Sequence, residues 1–344
     1  MQWNGPFNIF YENGKIKKII NYKDGEIDGV YSVFFIDGKL SELYNYSKNK
    51  KHGPASIYYK TGAIQCELNY SEDKIDGKVL YYFENGKLQK EVNYKNGILM
   101  GDFKVFHPNG QLAEKYTMIN NKKEGVASFY KRDGTLWQEL PYKEDKINGE
   151  AKYYYPNGEL KSTVTYVNNI KQGAVKIFYI SGALKESKSH INDKVEGIRS
   201  TFYKSGALKG EWSYVNGEPH GEQKFFYENG KILGIKSMNK GKDHGTTKVF
   251  YPNGNLKEEI NFENGIKDGP CIKCDEWGNI LFETVFENGK SLGENKFNLK
   301  SKTQHPTSVQ NQFDYLSLFT GWRLIVLIIV IFILYTGIIY FINL

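Results

Sequence analysis

Cys271 and Cys274 form a Cys-x-x-Cys arrangement, a spacing used by metal sites and redox dithiols. On an extended strand, residues i and i+3 point to opposite faces, which suits shared ligation poorly. Neither a second cysteine pair nor a histidine cluster lies nearby. Cys66 is the only other cysteine, so there is no disulfide framework, as fits a reducing compartment. His52, His220 and His244 each precede a glycine and read as turn residues. His220 and His244 are 24 residues apart, which on alternate strands of a sheet means about 10 Å, too far for one metal ion. Glu67, Glu91, Glu139, Glu211, Glu259 and Glu283 are spaced by 24 residues or multiples of it. They are expected to form a solvated row rather than general acids. There is no nucleophile elbow and no phosphate-binding glycine loop. The expectation is a protein that is not an enzyme, with no cofactor and no metal.

The element that positions these residues is a repeat. Glycines recur every 24 residues from Gly5 through Gly29 and Gly53 to Gly293. A second register follows nine residues later: Gly14, Gly38, Gly62, Gly86, Gly110, Gly134, Gly158, Gly182, Gly206, Gly230, Gly254 and Gly278. A length of 344 residues would ordinarily suggest two or three domains, but the period makes residues 1–300 one array. Tyr and Phe together number 47, a composition that favours pleated surfaces and turns.

Counting each unit's first glycine as position 0, position +5 is Phe or Tyr in eleven of twelve units and +11 is Leu or Ile in all twelve. Two runs rich in aromatic and β-branched residues, about +1 to +6 and +10 to +17, read as strands. Positions +7 to +9 include Pro108-Asn109-Gly110 and Pro252-Asn253-Gly254. Proline fixes φ near −65°, which excludes a type I′ turn and favours a type I turn closed by a left-handed glycine. That three-residue loop pairs +5 with +11 on one face, where the pairs would form a spine along the array. The opposite face carries +6, aromatic in nine units. Its row Tyr155, Tyr179, Tyr203, Tyr227 and Tyr251 is the candidate partner-binding surface, since exposed aromatic patches mark interaction sites. The polar stretch +18 to +24 is expected to hold a second hairpin turn. The fold class is therefore an all-β repeat: a single antiparallel meander of twelve hairpins, roughly 115 Å long. Residues 269–300, where Lys273, Cys274 and Asp275 break the pattern, read as a C-terminal cap.

The Phe/Tyr-Tyr pair, the Asn-Gly turn, the following Lys-Leu and the later Tyr…Asn-Gly…Gly resemble the MORN repeat in its bacterial variant form, as in Phe250 through Gly269. The resemblance implies side-by-side hairpins and a scaffold, often near membranes. An antitoxin-type label common among bacterial variants is the alternative it implies, although no residue here maps to toxin neutralisation.

Beyond the array, residues 301–320 read as a linker and 321–344 as a transmembrane anchor. The anchor holds nineteen uncharged residues, from Leu324 to Ile342, which as a helix would span about 28 Å. Lys300, Lys302 and Arg323 precede it, so the positive-inside rule places the array in the cytoplasm as a tail-anchored protein. The N-terminus shows no signal-peptide pattern. The expected partners are a protein of unknown identity and the lipid bilayer, with self-association left open and anionic-lipid binding by lysines a weaker alternative. The net charge of +7 is interspersed rather than blocked, which argues against nucleic acid.

Overall fold

The computed structural model describes residues 3–296. The linker and anchor expected beyond residue 300 lie outside the described residues. Within them all regular structure is β: 29 strand segments join, each to its chain neighbours, in one antiparallel sheet. In four units a bulge splits one strand in two, as at Lys50–Lys51 and Gly53–Tyr58.

The first hairpin shows why the unit folds this way. Strand Gly5–Phe10 meets Ile16–Lys23, with Phe10 opposite Ile16. The Tyr11 N–H donates to the Lys15 carbonyl at 2.8 Å, and the Gly14 N–H to the Tyr11 carbonyl at 3.0 Å. Gly14 has φ +82°. This is the type I turn with a left-handed glycine that the proline-containing units require. The same bond pair recurs in every unit, through Asp275 N–H to Asn279 and Gly278 N–H to Asp275. One extra residue, Lys17, then separates Ile16 from Lys18, so Ile9 lies opposite Lys18.

The second turn is a two-residue loop with both φ positive: Asp24 (53°) and Gly25 (83°), or Asn120 (51°) and Asn121 (64°). That is the type I′ geometry matched to sheet twist, and Asn, Asp and Gly tolerate it best. After it comes a feature the sequence did not disclose. Tyr22 lies opposite Ile27 and Ile20 opposite Tyr31, so Asp28, Gly29 and Val30 face the single residue Asn21. Gly29 (φ +97°) makes this bulge possible, and the Asn21 amide closes it by donating to the Val30 carbonyl at 2.6 Å. Asn45, Asn93 and Asn261 repeat the contact, and Thr165 and Ser213 make it with a hydroxyl.

Position +5 pairs with +11 as expected, but that pair is not where packing is densest. Phe10 is 55% exposed and Ile64 37%. All the buried apolar residues except Cys274 sit at +2, +13, +15 or +17, on the other face. There +2 pairs with +15: Ala55 with Leu68, Val79 with Val92, Phe103 with Tyr116, Ala127 with Leu140. Val79 and Val92 are each 1% exposed, and the Phe103 and Tyr116 rings stack at 4.5 Å. The reason is position along the strand. The +2/+15 row is mid-strand, with side chains on all four sides, whereas +5 and +11 border the turn.

Candidate functional site

The tyrosines singled out from sequence form a continuous row, and each is half-buried. Their hydroxyls do not face solvent unpaired. Each donates to the backbone carbonyl at +5 of the following unit: Tyr155 to Phe178, Tyr179 to Phe202, Tyr203 to Phe226 and Tyr227 to Phe250 at 2.8 Å, and Tyr251 to Cys274 at 3.0 Å. Tyr11 and Tyr59 do the same, and the His107 imidazole takes the role toward Tyr130. The row thus ties each hairpin tip to the next. In unit 12 the position holds Asp275, whose carboxylate instead accepts from the N–H groups of Trp277 (3.0 Å) and Asn279 (2.8 Å) in its own loop. A hydrogen bond from the Asn279 side chain, together with those N–H groups, holds the Asp275 pKa below the ordinary carboxylate value.

Replacing Tyr203 with phenylalanine removes one such bond and leaves the Phe226 carbonyl short of a donor. The expected loss is about 0.5–1.5 kcal/mol of unfolding free energy. Urea unfolding measures it, and an unchanged midpoint would mean that the staple contributes nothing.

The ring faces of the row carry lysines from +12. Lys161 lies 6.0 Å from the Tyr155 ring centre, Lys185 5.6 Å from Tyr179, Lys209 5.5 Å from Tyr203 and Lys257 5.4 Å from Tyr251.

The glutamates at +14 are not simply solvated, which corrects the expectation from sequence. Glu67 accepts the Tyr82 hydroxyl and Glu139 that of Tyr154, both at 2.6 Å. The bond to Glu67, with burial added, pushes the Tyr82 phenol up to about 12. Glu91 pairs with Lys78 at 3.0 Å and Glu259 with Lys248 at 3.3 Å. The hydrogen bond from Lys78 holds Glu91 below its ordinary value despite partial burial. The Tyr82 and Tyr154 hydroxyls come from the following unit, whereas Lys78 and Lys248 reach the glutamate across their own unit's hairpin, from +1 and +3 to +14.

The remaining candidates stay apart. Cys271 is at +2 and Cys274 at +5, hence on opposite faces; both are buried, and burial pushes their thiols up. His52 and His244 occupy the inter-unit bulge rather than a turn, their N–H groups donating to Asn45 and Ser237. Among the described residues no three His, Cys, Asp or Glu side chains could share a metal ion.

A further feature escaped the sequence reading. The packed +2/+15 row turns polar in units 8–11, as Lys188, Arg199, Trp212, Gln223, Lys236 and Thr247. Glu186 lies beside it and accepts from Arg199 at 2.9 Å, with Lys188 at 3.0 Å. Gln223 is 1% exposed, and its amide N–H₂ donates to the Ser213 and Gly221 carbonyls.

The family model for the MORN repeat variant matches residues 3–24, 51–72, 75–96, 101–120, 123–144, 147–168, 195–216, 219–240 and 243–264. These segments cover more than half of the chain. The chain belongs to the MORN repeat variant family. No curated protein matches this MORN repeat variant chain. Among solved structures it is similar to the TcdB2-TccC3-Cdc42 crystal structure at 12% identity, with a TM-score of 0.15, covering 81% of this chain and 17% of that one. It is also similar to a Photorhabdus luminescens Tc holotoxin pore structure at 10% identity, with a TM-score of 0.14, covering 81% and 19%. The MORN repeat chain thus spans less than a fifth of the length of either structure.

Proposed function

We propose that this MORN repeat protein is a non-enzymatic scaffold that binds a protein partner along its sheet. We further propose that residues 324–342 hold it at a membrane, with the array on the cytoplasmic side. The observation that carries the binding reading is a half-buried row of tyrosine rings on a sheet whose strands pack only against their chain neighbours. Rings whose hydroxyls are already engaged are held in place, so a partner meets them without first ordering them. The membrane reading rests on the nineteen uncharged residues and on the lysines and arginine that precede them. Among the described residues no helix is long and apolar enough to cross a membrane, and the run itself lies outside them.

Crosslinking and pull-down of the intact membrane protein test the proposal. A partner is expected whose recovery falls several-fold with Tyr179→Ser plus Tyr203→Ser and is retained with the two Tyr→Phe changes, which keep the rings. Absence of any partner, or equal recovery with the serine variant, would refute scaffolding through this row. A toxin-like partner would assign the antitoxin-type role instead. Alkaline extraction that leaves no protein with the membranes would overturn the anchor.

A further inference from the structure

Lysines on both faces of the sheet find carboxylates, Lys188 with Glu186 and Lys273 with Glu258 on the tyrosine face, but the lysines set beside the tyrosine rings do not. On the face bearing +1, +3 and +14, Lys78 and Lys104 pair with Glu91, Lys224 with Glu222 and Lys248 with Glu259. On the tyrosine row, Lys161, Lys185, Lys209 and Lys257 rest over rings, and among the described residues none has a carboxylate within ion-pair distance. Most acids beside the row are engaged elsewhere: Glu228 accepts from Ser205, Glu186 pairs with Arg199 and Lys188, Glu258 with Lys273, and Asp275 accepts within its own loop, which leaves Glu159 and Glu276 at the turn tips. A line of lysines without ion-pair partners therefore runs along units 7 to 11, interrupted at unit 10, where +12 is Leu233.

The spacing of that line is set by the sheet. Equivalent residues in consecutive units are two strands apart, or about 9.4–9.8 Å. A polyproline II helix presents every third side chain on one edge, with a rise of about 3.1 Å per residue, hence about 9.3 Å between aligned side chains. An extended β-strand cannot match this, because its residues i and i+3 point to opposite sides. Such helices also dock on aromatic-lined surfaces, since they arrive already ordered and lose little entropy on binding.

We propose that the tyrosine–lysine row of units 7 to 11 binds an acidic segment of a protein partner in the polyproline II conformation. Its carboxylates recur every third residue against Lys161, Lys185 and Lys209. An apolar residue follows at Leu233, and a further carboxylate meets Lys257. This rests on the protein-binding reading above and names the partner's chemistry.

The probe is a labelled peptide, Glu-Pro-Pro-Glu-Pro-Pro-Glu-Pro-Pro-Leu-Pro-Pro-Glu, titrated into the detergent-solubilised full chain. The control has the same composition with its four glutamates consecutive. The spaced peptide is expected to bind at least tenfold more tightly and to weaken with salt. Lys185→Glu plus Lys209→Glu should cost at least tenfold, and the two Lys→Arg changes little, with urea midpoints showing that all variants fold. Equal affinity for the two peptides, or unchanged affinity in the glutamate variant, would overturn the proposal. So would lysine-dependent binding of anionic vesicles or duplex DNA without binding of the peptide. If the peptide fails while partner recovery still depends on Tyr179 and Tyr203, the inference falls and the scaffold reading stands.

Discussion

Replacing Gly149 with valine is expected to lower unfolding free energy by about 2–6 kcal/mol, the sum of a backbone and a packing penalty. Gly149 sits in the inter-unit bulge at φ +117°, where non-glycine residues are rarely found. Holding a side chain there costs about 1–3 kcal/mol. A Cβ would also lie 3.2 Å from Pro141 Cγ. Most units place Asn, Ser or Thr opposite the bulge, but Pro141 is a rigid ring that cannot swing aside. Overpacking of this kind adds about 1–3 kcal/mol. Gly158→Val is the contrast: it incurs the backbone cost at φ +87°, but nothing lies within 4 Å of its Cβ. Because each unit contacts only its neighbours, hydrogen-exchange protection should fall first around residues 138–154 and spread outward. The account fails if Gly149→Val is no worse than Gly158→Val, or if protection falls evenly along the array.

That contrast bears on what the sequence makes legible. The Pro-Asn-Gly turn could be typed from residue chemistry alone, because proline and left-handed glycine have few conformations in common with other turns. The pairing of Phe10 with Ile16 followed from it. The packed row could not be read in the same way. Position +2 runs from Phe7 and Tyr31 through Ala55 and Val79 to Arg199 and Gln223, with no constant type. The pairs differ in type and size, from Ala151 against Val164 to Phe103 against Tyr116, and what they share is direct opposition across the hairpin. That pairing becomes visible only once the register is known.

The bulge at the first glycines was hidden for a related reason. It involves two hairpins, and a period of 24 residues is equally compatible with a bulged or an unbulged junction. The tyrosine row illustrates the same limit within the candidate site. Its existence and membership were readable from the repeat, whereas the acceptor of each hydroxyl lies 23 residues downstream in a neighbouring hairpin. Its lysines at +12 were also unremarkable as a sequence feature. They gain meaning from the extra residue that sets them beside the +6 rings and from their lack of ion-pair partners there.

Arg199→Met is expected to cost about 3–5 kcal/mol at pH 7, and the loss should shrink with acidification. Glu186 is 9% exposed at its side chain and Arg199 17%. Burial alone would push the Glu186 carboxyl up, but the hydrogen bond and charge of Arg199, helped by Lys188, hold it below its ordinary value. A depressed folded-state value means that the pair's stabilisation is present above the unfolded carboxylate value, about 4.3, and is lost as pH falls through the folded one. Without Arg199, burial outweighs the attraction that remains from Lys188, and the carboxyl's folded value rises above the unfolded one. Protonation then relieves the variant over the range where the parent still gains from ionisation. The difference between the two should therefore be greatest near neutrality and decline through the carboxylate range. Glu186→Gln added to Arg199→Met removes the stranded charge and should restore most of the stability at pH 7. Arg199 also lies 5.2 Å from the Trp212 ring centre, and that contact is lost in both variants. Urea unfolding of the parent, the single and the double variant at pH 7 and pH 4 separates the two contributions. A deficit that is independent of pH and unrelieved by Glu186→Gln would locate the effect in packing against Trp212 rather than in the buried charge.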